Sequence, residues 1–162
     1  MERSFELNER VMHVVYTYSS SLIKIAFTYV KNIQDAEEIT QETYLAYLQQ
    51  RPQFKDDEHE KAWLIRVAIN KSKNLLKSSW FRKRRELSDD LSYMPEEDSQ
   101  ILQSVLSLEE KYRVPIHLYY YEGYSINEIA AILNARPATI GTRLARGRQI
   151  LKSKIGGFDD EQ

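Results

Sequence analysis

The chain has no cysteine among its 162 residues, so disulfides and thiolate metal sites are both excluded. Glycine is scarce, five residues in all and four of them beyond position 140, which suits helices better than turn-rich sheets. No long apolar run is present. The longest, LIKIAFTYV, is short and contains Lys24, so it cannot span a membrane. Nothing at the amino terminus resembles a signal peptide, and the protein is expected to be intracellular. The three histidines, His13, His59 and His117, have no ligand spacing. Glycine-rich phosphate loops, GxSxG and HExxH are all missing, which argues against an enzyme and against a bound metal or cofactor.

The net charge of −1 hides a strong segregation of charge. Lys71 to Arg85 holds seven basic residues and no acid, while Glu86 to Asp98 holds six acids and no base. A second basic block, Arg136 to Lys154, again contains no acid. Two basic blocks separated by an acidic connector suggest two contacts with nucleic acid. Helical periodicity runs through almost every segment and no stretch alternates long enough for a strand. The expected helices lie near 8–31, 35–50, 60–78, 99–107, 109–121, 125–133 and 137–154. RPQFKDDEHE, residues 51 to 60, reads as a loop, and ELSDDLSYMPEED, residues 86 to 98, as an interdomain linker. The expected architecture is all-α, with small helical domains at 1–85 and 99–158 and a frayed tail at 159–162.

The segment after Tyr124 is the most specific. Ser125 and Glu128 form a capping box that starts a short helix with Ile126, Ile129, Ala130 and Leu133 inward. Asn134 tolerates the left-handed turn that must follow, and Pro137 suits the first position of the next helix. That helix turns Ile140, Leu144, Gly147 and Leu151 inward and otherwise carries only positive charge, an electrostatic match to phosphate. This is a helix-turn-helix.

Upstream, Arg66, Asn70, Lys73, Asn74 and Lys77 share one face of the 60–78 helix, and Trp63 joins them. Cations attract phosphates, asparagines can read base edges, and aromatics can stack on unpaired bases, a mixture suited to melted nucleic acid. For Trp63 a core role and a stacking role stand side by side. Pro115 is expected to kink its helix or mark its start. On the helix from Asp35, which can cap it, Glu37, Glu38, Gln41 and Glu42 make an acidic patch. No histidine follows at the spacing a di-iron site needs, so the patch is better explained as a docking surface for a basic protein.

Three blocks in this order resemble the small extracytoplasmic-function (ECF) group of bacterial sigma factors. DAEEITQETYLAYLQQ resembles the core-binding helix of sigma region 2. AWLIRVAINKSKNLLKS resembles the promoter-melting and −10-reading helix, and LEEKYRVPIHLYYYEGYSINEIAAILNARPATIGTRLARGRQILK resembles region 4. The resemblance implies a transcription initiation factor that binds core RNA polymerase. Asp35, Glu38, Gln41 and Glu42 would face the clamp helices of the β′ subunit, and region 4 would meet the β flap. Trp63, Arg66, Asn70, Lys73, Asn74 and Lys77 would lie along the opened −10 strand, with the loop Phe54 to Glu60 near a flipped-out base. Thr139, Thr142, Arg143 and Arg146 would enter the −35 major groove, with Arg136 and Arg148 on phosphates. An anti-sigma factor is a further partner implied. Gly141 stands where relatives often place a lysine or arginine, so one base contact is left out, and Asn134 replaces the usual turn glycine. The alternative is a dimeric helix-turn-helix repressor, on which the acidic patch and the Trp63–Lys77 face have no explanation.

Overall fold

The structure, a computed structural model, describes residues 2–87 and 99–155, with side chains over 5–84 and 103–155. Most of the 86–98 segment and all of the 159–162 tail lie outside these residues. Among the described residues there are eight helices and no strand: α1 (Glu2–Val30), α2 (Ile33–Gln50), α3 (Asp57–Lys77), α4 (Ser79–Leu87), α5 (Ser99–Leu106), α6 (Glu110–Tyr120), α7 (Ile126–Leu133) and α8 (Pro137–Ile155). The all-α reading holds. Two compact units divide the chain, Met1–Asp90 and Leu91–Gln162.

In the first unit α1, α2 and α3 close around Leu22, Ile25, Ala26 and Tyr29, then Ile39, Thr43 and Tyr47, then Leu64 and Ala68, all buried. Ile65 and Ile69, outside the expected stripe, are buried as well, so α3 turns a broader side to the core than Leu64, Val67, Ala68 and Leu75 alone suggest. No proline or glycine stands between positions 2 and 30, and α1 accordingly begins well before residue 8. Lys31 takes the left-handed conformation at the turn into α2. Asn32, rather than Asp35, is the N-cap: its side chain accepts from the Asp35 N–H at 2.8 Å.

Two further expectations need correction here. The loop expected over 51–60 ends at Asp56, whose side chain accepts from the His59 N–H at 2.8 Å and caps α3. The acids at 57, 58 and 60 belong to the first helical turn, where they complement the helix dipole. At the far end, α3 stops at Lys77 and a short α4 follows that periodicity did not reveal. Ser78 does both jobs: its hydroxyl donates to the Leu75 carbonyl at 2.7 Å and accepts from the Phe81 N–H at 3.2 Å. Phe81 is buried and pins the new helix.

In the second unit α5 to α8 enclose Val105, Leu108, Val114, Ile116, Leu118, Ile129, Ile140 and Leu144. The buried Arg113 side chain donates to the carbonyls of Leu108 at 2.8 Å and Leu106 at 3.4 Å, closing the end of α5. Pro115 neither starts nor ends α6; it sits in the second turn and the helix runs on to Tyr120. On α7 the inward residues are Ile129, Ala130 and Ile132, whereas Ile126 is exposed. No helix among the described residues is long and apolar enough to cross a membrane.

Candidate nucleic-acid and polymerase interfaces

The helix-turn-helix is built as its residues dictate. Ser125 and Glu128 make both bonds of the capping box, at 3.1 and 3.0 Å. Asn134 adopts the left-handed conformation, φ 53° and ψ 51°, and Pro137 opens α8. Ile140 and Leu144 are buried, and Gly147 lets α8 approach α6 closely. A Cβ at position 147 would lie 3.1 Å from Ile116 Cγ1 and 3.2 Å from its Cδ1.

At about 3.6 residues per turn, Thr139, Thr142, Arg143 and Arg146 lie along one outward sector of α8. Thr142 and Arg146 are exposed, while Thr139 and Arg143 are half-buried at its edge. Arg136 is exposed just before the helix. Arg148 is exposed too, but it lies on the opposite flank and donates to the Tyr120 hydroxyl at 3.2 Å. Gly141 faces open space, with no atom within 4 Å of an added Cβ. The two helical glycines therefore give opposite expectations. Gly141→Ala should stabilise the second unit by about 1 kcal/mol through helix propensity. Gly147→Ala should destabilise it by up to about 2 kcal/mol, because overpacking against the buried Ile116 costs about 1–3 kcal/mol and the same helix propensity returns about 1. Hydrogen exchange of α8 amides in the full chain measures both.

On α3, Arg66, Asn70, Asn74 and Lys77 are exposed and Lys73 is half-buried, so the expected face exists. Trp63 is half-buried at its start and meets two aromatic rings: Tyr47, edge-on at 6.0 Å, and Phe54 at 5.9 Å. Phe54 also meets His59 at 5.2 Å and Tyr47 at 6.1 Å. These aromatic contacts hold the 51–56 loop against the helices. Beside them opens a cleft of about 590 Å³, whose lining includes Arg10, Tyr47, Arg51, Phe54 and Lys55.

Beneath this cleft lies a residue that the sequence analysis did not single out. Glu60 is fully buried, and its Oε2 accepts from Arg10 Nε at 3.1 Å, Arg10 Nη2 at 2.9 Å and the Tyr47 hydroxyl at 2.9 Å. Its Oε1 has no hydrogen-bond partner among the described residues. Burial pushes the Tyr47 hydroxyl above its ordinary pKa, so it remains a donor. The hydrogen bond to Tyr47, then that to Glu60, raises Arg10. The only advance signal was an acid three residues before Trp63 on the core side of α3.

On α2, Glu37, Glu38, Gln41 and Glu42 are exposed as expected. Asp35 is not available to a partner. It is 1 % exposed, accepts from Asn32 Nδ2 at 2.6 Å, and pairs with Arg84 of α4. Leu45, 55 % exposed, shares the sector of Glu38, Gln41 and Glu42. Its signal in the sequence was an apolar residue out of phase with the inward stripe of Ile39, Thr43 and Tyr47. The described residues contain no cluster of three or more metal-ligating side chains.

Two helical units, one with a helix-turn-helix and one with a cationic, asparagine-bearing helix face beside an aromatic loop, define a DNA-binding protein of the helix-turn-helix class. Sequence profiles place both in one family: Sigma-70 region 2 matches residues 14–82 and Sigma-70 region 4 matches residues 98–151. The chain is 26 % identical to the ECF RNA polymerase sigma factor SigW of Bacillus subtilis, over 88 % of this chain and 87 % of that protein. It is 27 % identical to the ECF sigma factor SigE of Mycolicibacterium smegmatis, over 91 % of this chain and 62 % of that one. The fold is shared with the sigma factor RpoE of Bartonella quintana, solved with the anti-sigma factor NepR, at a TM-score of 0.70 and 22 % identity, covering 89 % of this chain and 95 % of that one. The chain belongs to the ECF group of the sigma-70 family and is a transcription initiation factor that directs promoter recognition.

Proposed function

We propose that the two units divide promoter recognition between them. The α3 face of Arg66, Asn70, Lys73, Asn74 and Lys77 lies along the opened −10 strand, with Trp63 and the 51–56 loop closing over a base taken out of the stack. Flipping costs a few kcal/mol, which a fitted cleft must offset. In the second unit Thr139, Thr142, Arg143 and Arg146 enter the −35 major groove, while Arg136 and Arg148 meet phosphates on either side. Glu38, Gln41 and Glu42, with Leu45 among them, dock on the clamp helices of the polymerase β′ subunit, and the second unit meets the β flap. The protein acts in the cytoplasm. An anti-sigma partner is part of this reading, because the Bartonella relative was solved with one.

The observation that carries the reading is the outward face of α3. It combines cations with two exposed asparagines and no acid, and Trp63 at its start packs on Tyr47 and Phe54, two rings that line the neighbouring cleft. A duplex-binding repressor needs neither. Tethering two weak sites also makes affinity depend on the spacing of the two promoter elements.

In vitro transcription from genomic fragments with sigma-free core polymerase tests this. New discrete start sites are expected with the wild-type protein, and they should vanish with Arg66→Ala/Lys73→Ala. No new starts, together with tight binding of the protein alone to a palindrome, would overturn it.

A further inference from the structure

The −10 reading uses Lys73 and Lys77 from the first basic block and leaves the cations of α4 unexplained. Three of them have described side chains, and the structure treats these differently. Arg84 is turned inward, paired with the buried Asp35, and its guanidinium lies 4.4 Å over the Trp80 ring and 5.4 Å from that of Phe81. Arg82 and Lys83 point the other way, are exposed, and make no ion pair among the described residues. Phe81 is buried beneath them and Trp80 is 58 % exposed at the flank.

We propose that α4 is a second backbone grip on promoter DNA, with Arg82 and Lys83 contacting phosphates and the Arg84–Asp35 pair positioning them. This rests on the reading that the first unit binds promoter DNA. Three observations favour it. First, the outward side of α4 carries two cations but none of the asparagines that accompany them on α3. Cations with no asparagine beside them suit phosphates, which position a protein on DNA without reading sequence. Second, α4 is anchored at three points among the described residues. Ser78 caps its start, Phe81 is sunk in the core, and Arg84 ties it to the first turn of α2. A buried carboxylate paired with a half-exposed guanidinium adds little net stability but fixes an orientation. A solvated basic helix would need no such tether. Third, α4 follows Lys77 after one residue, so Arg82 and Lys83 continue the basic block of α3 in sequence past Ser78.

Asp35 thereby takes a different role from a polymerase contact. It is a positioning residue, acting through Arg84 on a helix whose cations meet the nucleic acid.

The test uses holoenzyme assembled from the full chain and core polymerase, with affinity measured across a salt series. Two probes separate the possible phosphates: a fork carrying duplex upstream of the opened −10 element, and a single-stranded −10 oligonucleotide. Each duplex phosphate contact contributes about 0.9 to the slope of log K against log salt, and each single-strand contact about 0.7. Arg82→Ala/Lys83→Ala should lower the slope by about 1.8 on the fork if the phosphates are duplex ones. A fall of about 1.4 on the oligonucleotide would assign them to the opened strand. An unchanged slope on both probes overturns the proposal. Asp35→Asn keeps every cation but removes the anchor, and should lose a similar part of the slope while far-UV circular dichroism stays unchanged. A wild-type slope in that variant would overturn the positioning role. The two readings fail separately: normal initiation by Arg66→Ala/Lys73→Ala sinks the −10 assignment, whereas an unmoved Arg82/Lys83 slope sinks only the grip.

Discussion

Arg10→Met is expected to destabilise the first unit more than any other single change at its surface. The reason is Glu60. Its carboxylate is fully buried and takes two of its three hydrogen bonds from Arg10. Without the guanidinium, a buried charge is left with only the Tyr47 hydroxyl. Breaking a buried pair from one side costs about 3–5 kcal/mol. Arg10 is itself 46 % exposed, so water can partly replace it and the lower end, about 3 kcal/mol, applies. For a unit of this size, each kcal/mol moves Tm by about 4–8 °C, so a drop on the order of 10–20 °C is expected. Arg10→Met/Glu60→Leu should recover most of it, since replacing both partners by apolar groups removes the uncompensated charge. A single variant melting within a few degrees of wild type would show that this network does not tie α1 to α3. The loss should also reach function, because Arg10 and Tyr47 line the cleft beside the 51–56 loop.

Charge reversal at Arg143 and Arg146 should be the most damaging change in the second unit. One arginine bound bidentately to guanine discriminates by about 1–3 kcal/mol, and reversal adds repulsion from the phosphates. Transcription from a promoter with a −35 element should fall at least about 100-fold if both arginines each contribute about 1.4 kcal/mol or more, within that range. The fold of α8 should survive, because neither side chain belongs to the buried stripe of Ile140, Leu144 and Gly147. Arg148→Ala should cost much less. That side chain lies on the other flank and already bonds to Tyr120, so it offers at most a phosphate contact. Equal losses from Arg148→Ala and from single neutralisation of Arg143 would contradict this division of α8. Run-off transcription on templates with and without the −35 element measures all three.

What the sequence determined by itself was local. A capping box, a left-handed asparagine, a proline at a first helical position and a 3.6-residue stripe act within a turn or two of chain. For that reason the helix-turn-helix, the inward stripe of α8 and the outward face of α3 could be read before any fold was known. The all-helical class followed from the same periodicity, and the three ordered blocks carried the family. Tertiary structure decided what depends on partners far away in sequence. Asp35 and Glu38 look alike as acids on one helix, yet Arg84, 49 residues on, draws Asp35 into the interior and leaves Glu38 outside. Glu60 looked like one more acid in a polar loop until Arg10, 50 residues before it, gave its charge a reason to be buried. The short α4 was missed because nine residues hold too few turns for a periodic signal, and Phe81 anchors it only against a core that other helices supply. Burial of a charge requires a counter-charge at the right place, and only the packed chain determines where that place is.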